Sequence, residues 1–447
     1  MKSSRRNFLK NSMGATAAVT IGGVLPGFSA KSYAAIRGAN ERIKVGVVGV
    51  NARGLALAKN YASQSNCEVA YISDVDSRAM EKCIAAVDGI QKKKPKGASD
   101  FRKALEEKSI DAMVIATPDH WHAPAAILAC KAGKHVYVEK PCSHNPHEGE
   151  LLVAAARKYN RKVQMGSQRR SWPNVIAAIN EVKSGVIGRP YYGKGWYAAN
   201  RGPIGVGKEA EVPSWLNFDL WQGPAPRTTY KDNILHYNWH WFWNWGTGEA
   251  GNNGVHMVDL LRWGMGVEYP VSANSTGGRF RYQDDWETPD TQVMSWKFPN
   301  NSMIEWEGRS CNGRGIEDTS VGVAFYGETG TVVIGGGNSY KLYDIDNKLI
   351  KDVKDEFKID PRNKVDPSRN LDALHIQNFF EAIKLDTPLN VEIETGHKST
   401  LLTQLGNIAL RTGTELKINE TNGHILGNAE AAAYWKRDYE LGWEPVI

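Results

Sequence analysis

The 447-residue sequence has few cysteines, and no two of them show a metal-binding spacing. The five cysteines are Cys67, Cys83, Cys130, Cys142 and Cys311, and none of them forms a C-x-x-C pair. An odd number of cysteines without that spacing argues against a disulfide framework and against a zinc site. We therefore expect most of these side chains to be small buried hydrophobic groups.

The sequence also has almost no charge imbalance once its first 34 residues are set aside. The formal net charge of the whole chain is +6. Residues 1–34 contain five basic residues and no acidic residue, so the remainder has 50 basic and 49 acidic residues. The densest basic run, residues 92–96, lies between two predicted elements and is interpreted as a solvated loop. The charge therefore predicts no nucleic-acid partner.

A long apolar run is missing as well. The apolar stretch at residues 14–28 is shorter than the roughly 20 residues that a membrane-spanning helix needs. It follows Ser4-Arg5-Arg6-Asn7-Phe8-Leu9-Lys10, and a twin arginine before such a stretch is typical of a twin-arginine export signal. Ser32-Tyr33-Ala34 fits a cleavage site. Residues 1–34 are therefore predicted to engage the twin-arginine translocase and to direct a soluble protein, without a stable membrane anchor, to the periplasm.

The predicted export route also has a consequence for cofactor binding. Twin-arginine signals generally serve proteins that cross the membrane already folded. Folded export is needed when a cofactor must be inserted in the cytoplasm. The twin-arginine signal alone therefore predicts a bound cofactor.

From residue 42 to about residue 165, short apolar runs alternate with helical stretches. The predicted strands are residues 43–50, 67–73, 112–116, 135–138 and 162–166, and the predicted helices are residues 55–65, 77–87, 101–108, 123–132 and 147–159. Such alternation is typical of a parallel, doubly wound α/β sheet. Residues 42–165 are therefore predicted to form a Rossmann domain.

After about residue 190 the pattern changes to two-residue alternation and short apolar runs. The predicted strands are residues 189–197, 271–282, 291–298, 302–307, 322–326 and 331–334. Gly- and Asn-rich turns join them, which predicts an α+β domain, residues 166–447, with a large and mostly antiparallel open sheet. Helices are predicted at residues 375–384 and 398–412, and the whole segment 375–412 is expected to pack back on the first domain.

A glycine-containing turn lies between the first predicted strand and the first predicted helix. Residues 49–54 read Gly49-Val50-Asn51-Ala52-Arg53-Gly54, a variant of the dinucleotide-binding fingerprint in which Asn51 replaces the second glycine. Asn tolerates a left-handed backbone better than other non-glycine residues, so the turn can still form. Asp74 ends the second strand, where an acid accepts hydrogen bonds from both ribose hydroxyls and repels a 2′-phosphate. These residues predict NAD, although Arg78 leaves NADP open.

Two further turns complete a series of motifs. Thr117-Pro118-Asp119-His120-Trp121-His122 follows the third predicted strand, and Glu139-Lys140-Pro141 follows the fourth. Together with the fingerprint and the acid, these turns make residues 42–445 resemble the Gfo/Idh/MocA oxidoreductase family, whose members include glucose–fructose oxidoreductase and inositol dehydrogenase. The resemblance implies that the cofactor contacts Gly49, Asn51, Arg53, Gly54, Asp74, Thr117, Pro118, His122, Glu139 and Lys140.

The resemblance also implies the catalytic residues. In this family the lysine of the E-K-P turn, here Lys140, lies beside the nicotinamide and the substrate hydroxyl, where an ammonium can hydrogen-bond the reacting oxygen. His256 matches the histidine of a family D-x-x-x-H helix, and Asn252 stands in place of the aspartate. Spacings of four and three place Asn252, His256 and Asp259 on one helical face. His256 is the predicted general base, whereas Asn252 orients the substrate or the histidine because an amide cannot take a proton.

Four tryptophans alternate between residues 239 and 245. If this segment is extended, all four point to one face and His240 points to the other. Two interpretations stay open, a loop over the nicotinamide that stacks on a sugar ring and hydrophobic packing, for example at a subunit interface. The nearby histidines match no metal-site spacing, so no metal is predicted. The predicted substrate contacts are Trp121, Gln168, Arg169, His240, Trp241 and Asp259.

Three functions are compatible with these residues. The first is an exported NAD-dependent oxidoreductase for a sugar or polyol hydroxyl, whose cofactor stays bound and is recycled in place because the periplasm is not expected to offer free NAD. The second is a redox-neutral, NAD-dependent glycosidase of the kind known in the resembled family, which works by oxidation, elimination, addition of water and reduction. The third is a non-catalytic sugar-binding protein with a structural dinucleotide. The resemblance also implies a homo-oligomer.

Overall fold

Residues 42–356 and 369–447 are described by a computed structural model, and those from Ile43 onward form one compact unit. The predicted export signal, residues 1–34, lies outside the described residues. Two sheets organise the described part of the chain, one in each of two domains. None of the helices in this part is long and apolar enough to cross a membrane.

The first domain is a six-stranded parallel sheet with helices on both faces. Its strand order is β3-β2-β1-β4-β5-β6, which confirms the predicted doubly wound sheet. Its elements are β1 (Ile43–Val48), α1 (Arg53–Ala62), β2 (Cys67–Ser73), α2 (Ser77–Gln91), β3 (Lys96–Ala98), α3 (Arg102–Glu106), β4 (Ala112–Ile115), α4 (Asp119–Lys131), β5 (His135–Val138), α5 (Pro146–Lys158) and β6 (Val163–Met165).

The second domain is built on a ten-stranded sheet. The sheet is antiparallel except where β7 pairs with β10, which confirms the predicted mostly antiparallel architecture. Its strand order is β14-β13-β12-β11-β7-β10-β9-β8-β15-β16. The elements after β6 are α6 (Pro173–Lys183), β7 (Pro190–Ala198), α7 (Phe218–Gln222), α8 (Val255–Met265), β8 (Ser272–Gly278), β9 (Thr291–Phe298), β10 (Ser302–Arg309), β11 (Val321–Gly327), β12 (Gly330–Ile334), β13 (Tyr340–Asp344), β14 (Leu349–Val353), α9 (Arg369–Leu385), α10 (Ile393–Thr412), β15 (Leu416–Ile418), β16 (Ile425–Leu426) and α11 (Ala429–Ala433).

The helices α9 and α10 both pack against the first domain. Phe380 of α9 is buried, and its ring packs edge-on against Tyr61 of α1 with centroids 5.7 Å apart. Gly396 of α10 lies against Met165 of β6, and Gly406, further along the same helix, lies against Met294 of β9. Helix α10 therefore contacts both sheets, and α9 packs against the first domain.

Several short elements differ from the sequence-based expectations. The strand β3 begins at Lys96, inside the basic run predicted as a loop, and β13 to β16 were not predicted. Each of these strands has at most five residues, too few for a clear periodicity, and most of β14 is exposed at the edge of the sheet. The helix α4 begins at Asp119 instead of residue 123, so the T-P-x-x-x-H residues 117–122 run into its first turn.

Candidate active site

A cleft of about 600 Å³ opens at the carboxyl ends of β1, β2, β4 and β5. In a doubly wound sheet, ligands bind at this edge where the strand order reverses. The opposite wall comes from the second domain, mainly from the segment between β7 and α8. The second-domain residues that line the cleft are Tyr197, Ala199, Arg201, Leu220, Trp221, His236, Tyr237, Trp239, His240, Asn252 and Asn253.

The turn between β1 and α1 forms a cradle of bare backbone. Gly49 has a φ of +76°, and a Cβ there would lie 2.7 Å from the carbonyl oxygen of Ala116. A Cβ at Gly54 would lie 1.9 Å from the carbonyl oxygen of Gly49, so both positions require glycine. Asn51 lines the cleft, and the first turn of α1 carries no acidic residue. The N-terminus of α1 is therefore suited to an anion such as a pyrophosphate.

Asp74 lies at the end of β2 and lines the cleft. One of its carboxylate oxygens accepts the N–H of Val50 at 2.5 Å, and the other accepts the N–H of Asp76 at 2.9 Å. Burial raises the pKa of Asp74. Arg78, which left NADP open, pairs with Asp76 at 2.9 Å and lies 3.4 Å from the centre of the Trp215 ring. The residues present therefore fit NAD, with the pyrophosphate at the cradle and the ribose hydroxyls at Asp74.

Glu139 is held by two residues that were predicted to contact ligands. The guanidinium of Arg53 donates to its carboxylate at 2.8 Å, and the amide of Gln168 donates to it at 3.0 Å. Arg53 also pairs with Asp372 of α9 at 2.9 Å. Burial acts to raise the pKa of Glu139, but Arg53 and Lys140 outweigh burial, so the net pKa is lowered. Glu139 is thus an ionised anchor at the base of the E-K-P turn.

Lys140 reaches across the cleft to the second domain. Its Nζ donates hydrogen bonds to the backbone oxygen of Asn252 at 2.6 Å and to the side-chain oxygen of the same residue at 3.3 Å. Burial lowers the pKa of Lys140, and the charges of Glu139 and Asp119 oppose that shift. The lysine ammonium is therefore fixed in position at the boundary between the two domains.

The T-P-x-x-x-H residues line the cleft beside this lysine. Thr117, Pro118, Trp121 and His122 all belong to the lining. The ring of His122 bridges two turns, with Nδ1 at 2.6 Å from the carbonyl oxygen of Pro141 and Nε2 at 2.8 Å from that of Thr117. His122 therefore fixes the E-K-P turn relative to the end of β4.

The predicted helical face at residues 252–259 is interrupted. Ala250–Gly254 forms a π-helical turn, and the α-helix α8 begins only at Val255. Since the predicted face depended on α-helical spacing, the π-helical turn separates Asn252, which lines the cleft, from His256, which does not. His256 is buried, and neither of its ring nitrogens has a hydrogen-bond partner among the described residues. Burial and then Lys140 lower the pKa of His256 well below its usual value.

Four predicted substrate residues lie outside the cleft lining, each because it is engaged elsewhere. Asp259 forms a buried ion pair with Arg170 at 2.8 Å. Arg169 donates to the carbonyl oxygen of Gly336 at 2.9 Å. Gln168 donates to Glu139, and Trp241 stacks on Trp286 with ring centroids 3.9 Å apart. Of the six predicted substrate contacts, only Trp121 and His240 line the cleft.

The tryptophan segment is not extended. Asn238–Trp241 forms a 3₁₀ turn, and the chain then folds back so that a Cβ at Gly246 would lie 2.4 Å from the carbonyl oxygen of His240. Trp241 and Trp245 are buried, whereas Trp239 is half-buried and lines the cleft. The segment therefore contributes both to the cleft wall and to the hydrophobic core.

The sequence-based reasoning missed the ion pair of Arg201 and Glu249. Arg201 lines the cleft, and its Nε donates to the buried carboxylate of Glu249 at 2.9 Å. Glu249 also accepts hydrogen bonds from Asn252 at 3.2 Å and from Ser310 at 3.0 Å. Arg201 stands in an irregular segment without a motif, so no local signal was present. Among the described residues, no group of three His, Cys, Asp or Glu side chains could hold a metal ion.

Two family models match the chain. The model described as "Oxidoreductase family, NAD-binding Rossmann fold" matches residues 43–167, and the model described as "Oxidoreductase family, C-terminal alpha/beta domain" matches residues 214–418. The first match spans the dinucleotide cradle and the E-K-P turn, and the second spans most of the opposite wall of the cleft.

Curated relatives match over part of their length. A glycosyl hydrolase family 109 protein of Saccharopolyspora erythraea is 27% identical over 253 residues, which are 51% of this chain and 55% of the relative. A glycosyl hydrolase family 109 protein 2 of Shewanella sp. is 28% identical over 207 residues, which are 43% of this chain and 45% of the relative. The chain thus spans about half the length of the curated relatives it matches.

Solved structures share the fold. The WlbA dehydrogenase from Bordetella pertussis, in complex with NADH and UDP-GlcNAcA, has a TM-score of 0.64 at 20% identity, over 85% of this chain and 99% of that chain. A levoglucosan dehydrogenase in complex with NADH and levoglucosan has a TM-score of 0.64 at 18% identity, over 84% and 99%. The aldose-aldose oxidoreductase from Caulobacter crescentus has a TM-score of 0.65 at 17% identity, over 84% and 100%.

Proposed function

The chain belongs to the Gfo/Idh/MocA oxidoreductase family, and we propose that it is an NAD-dependent oxidoreductase that acts on a hydroxyl group of a sugar or polyol. The observation that carries this proposal is the position of Lys140. Its ammonium lies in the same cleft as the Gly49–Gly54 cradle and Asp74, and it is held there by Asn252. A fixed ammonium at this place can stabilise negative charge on the oxygen of a hydroxyl that is being oxidised.

The rest of the cleft suits a carbohydrate. Aromatic rings of Tyr197, Tyr237 and Trp239 line it, and the polar side chains of Arg201 and Asn253 lie among them. Aromatic faces pack against sugar rings, and a few placed polar groups fix the orientation of the hydroxyls. When bound, NAD supplies the acceptor for the hydride, while Lys140 binds and polarises the reacting oxygen.

The test uses the purified protein with the dinucleotide that it carries. Sugars and polyols are added, and the bound nicotinamide is followed at 340 nm. Lys140→Met should abolish the rise in absorbance while leaving the thermal melting temperature and the dinucleotide content close to those of the wild type. Lys158→Met, on the exposed surface of α5, is the matched control and should keep the wild-type rate. Full activity of Lys140→Met would contradict the proposed function.

A redox-neutral, NAD-dependent glycosidase is the second candidate. The names of the curated relatives favour it, because the matches include glycosyl hydrolase family 109 proteins. In the same assay, cleavage of a glycoside without a lasting change at 340 nm would identify this reaction. A protein that binds sugars but neither reduces its nicotinamide nor cleaves any glycoside would be the non-catalytic sugar-binding protein.

We also propose that the chain is exported with its cofactor bound, and that the cofactor is recycled in place. The twin arginine at Arg5 and Arg6 supports export. The double variant Arg5→Lys/Arg6→Lys should remain in the cytoplasm, with Lys2→Arg as the control, and cell fractionation measures the difference. A homo-oligomer remains a prediction, and light scattering of the purified protein tests it.

A further inference from the structure

Oxidation of a hydroxyl group releases a proton as well as a hydride, so the cleft needs a proton acceptor. Lys140 is suited to donate, since its Nζ already gives hydrogen bonds to Asn252. Asn252 stands where the family has an aspartate, and an amide does not accept a proton. His256 is buried outside the cleft lining. Neither Asn252 nor His256 therefore offers a proton acceptor in the cleft lining.

His240 lies in the cleft, and one of its two ring nitrogens forms a hydrogen bond with the protein. It is half-buried and lines the cleft together with Lys140. Its Nδ1 is 2.6 Å from the carbonyl oxygen of Tyr237, and a carbonyl only accepts, so Nδ1 carries the proton in the neutral ring. Among the described residues, no protein group forms a hydrogen bond with Nε2 of His240. Neutral His240 thus presents an unprotonated nitrogen that has no protein partner.

The ring of His240 is also fixed in orientation. Trp239 stacks on it with centroids 3.6 Å apart and planes 20° apart, and Tyr237 contacts it with centroids 4.5 Å apart. Tyr237 has a φ of +85°, a conformation uncommon for a residue with a side chain, so the turn that places this ring is a specific one. A base whose ring is held by packing does not lose orientational freedom when the substrate binds.

Burial and nearby positive charges keep His240 neutral. Burial lowers its pKa well below the usual value, and the positive charges of Lys140 and Arg201 lower it further, while the hydrogen bond to Tyr237 acts in the opposite direction. The phenol of Tyr237 is the other titratable group in contact with the ring, and burial raises its pKa, so it stays protonated at neutral pH. His240 is therefore in its neutral form, in which Nε2 can accept a proton.

Resting on the proposed oxidation of a hydroxyl, we propose that His240 is the catalytic base and that its Nε2 receives the hydroxyl proton. The O–H bond of the alcohol breaks and its proton goes to Nε2. The C–H bond on the same carbon breaks, its electron pair leaves as hydride to an oxidised nicotinamide dinucleotide, and the alcohol becomes a carbonyl. Lys140 hydrogen-bonds the same oxygen during the step, and the imidazolium then loses its proton to water.

The kinetic test uses the holoenzyme and the variant His240→Asn. The asparagine amide can still donate to the carbonyl of Tyr237, but it has no basic nitrogen. The single-turnover rate of nicotinamide reduction should fall by roughly 10²- to 10⁴-fold, the range that general acid–base groups contribute. Added imidazole should restore part of the rate, whereas dinucleotide content and thermal melting stay close to the wild type. His424→Asn, on the exposed surface, is the matched control.

A second measurement does not depend on activity. In the holoenzyme with ¹⁵N-labelled histidine, the ring signals that disappear in His240→Asn should show a protonated Nδ1 and an unprotonated Nε2 at neutral pH. The opposite tautomer would overturn the proposal. So would a loss of turnover with imidazole rescue in His256→Asn but not in His240→Asn.

The outcomes separate the two proposals. If the wild type oxidises a sugar and both His240→Asn and His240→Gln keep the full rate, His240 is not the base and the oxidoreductase proposal stands. If the wild type reduces its nicotinamide with no sugar or polyol, the oxidoreductase proposal fails, and the base assignment, which rests on it, fails with it. If His240→Asn does not fold, His240→Gln takes its place in the kinetic test.

Discussion

The ammonium of Lys140 donates a hydrogen bond of 2.6 Å to the backbone carbonyl of Asn252. This contact joins the E-K-P turn of the first domain to the π-helical turn that precedes α8 in the second. The side-chain oxygen of Asn252 lies 3.3 Å from the same Nζ. Burial lowers the pKa of Lys140, and negatively charged neighbours raise it. A change in those charges therefore changes the pH at which the ammonium loses its proton.

Replacing Asn252 with aspartate should extend activity to higher pH. A carboxylate beside Nζ favours the charged form and raises the pKa of Lys140. If oxidation needs the ammonium, the rate falls as the pH rises through this pKa, so the alkaline limb of the pH–rate profile should move upward. The measurement is the single-turnover rate at 340 nm between about pH 6 and pH 10.

Asn253→Asp is the matched control for this variant. Both asparagines donate to Glu249, and among the described residues no hydrogen bond joins Asn253 to Lys140. Each substitution removes a donor and adds a carboxylate beside Glu249, so each should lower the free energy of unfolding by about 1–3 kcal/mol. Asn252→Asp should move the alkaline limb further than Asn253→Asp does, because residue 252 contacts Nζ directly. Equal movement in both variants would contradict the role of Lys140.

The first domain was predictable because its signals are local. Each buried strand is a short apolar run, and the residue that matters for the ligand stands at its end, as Asp74 does after β2 and Glu139 after β5. The turn at Gly49 and Gly54 follows from steric demands that only glycine meets. Sequence patterns within about 30 residues therefore sufficed to place the cradle.

The opposite wall was not predictable because tertiary contacts shape it. Glu249 holds Arg201, which is distant in sequence, together with Asn252, and nothing in the sequence around Arg201 marks this pairing. The π-helical turn at Ala250–Gly254 interrupts a pattern that reads as one α-helical face. The alternation of Trp239 and Trp241 suits an extended strand, yet the chain folds back at Gly246. Here long-range packing overrides the local pattern.

Replacing Asp74 with serine should weaken NAD binding and relax the discrimination against NADP. Loss of a hydrogen bond to a charged group costs about 1.5–3 kcal/mol, or roughly a 10- to 150-fold increase in Kd. The repulsion of a 2′-phosphate disappears with the carboxylate, so NADP should lose less affinity than NAD. Quenching of tryptophan fluorescence by each dinucleotide, in protein stripped of cofactor, measures both constants.

The control for this variant is Asp88→Ser. Asp88 lies on α2, outside the residues that line the cleft, and its replacement should leave both dissociation constants unchanged. If Asp74→Ser keeps the wild-type ratio of NADP to NAD affinity, Asp74 does not select the cofactor.

Replacing Gly246 with alanine should displace His240. The added Cβ would lie 2.4 Å from the carbonyl oxygen of His240 and 2.6 Å from its Cα, distances that force the backbone to move. The free energy of unfolding should fall by about 1–3 kcal/mol. The single-turnover rate should fall by about 10²-fold, because a small misplacement of a catalytic group is costly.

Gly89→Ala serves as the comparison for Gly246→Ala. A Cβ at Gly89, inside α2, would meet nothing within 4 Å. This substitution should stabilise the protein by about 0.5–1 kcal/mol and leave the rate unchanged. Wild-type stability and rate in Gly246→Ala would show that the turn does not position His240.

Replacing Asp76 with asparagine should remove a pH-dependent part of the stability. The carboxylate of Asp76 caps α2, pairs with Arg78 at 2.9 Å and lies 2.9 Å from Nε2 of His236, which lines the cleft. Burial acts to raise its pKa, but hydrogen bonds from Arg78 and His236 prevail and lower it from 3.8 to about 2. That shift corresponds to about 2 kcal/mol of stabilisation.

The sign of the pH dependence follows from the direction of this shift. Since the pKa of Asp76 is lower in the folded than in the unfolded chain, its stabilisation is complete above about pH 4 and is lost as the pH falls toward 2. Asp76→Asn should therefore lower the free energy of unfolding by about 2 kcal/mol at neutral pH and by much less near about pH 2. Urea unfolding at both pH values measures the difference.

Asp346→Asn, at an exposed hairpin, is the control and should change the free energy of unfolding by less than about 0.5 kcal/mol. An equal loss for Asp76→Asn at both pH values would mean that the carboxylate acts only as a helix cap and not through its charge.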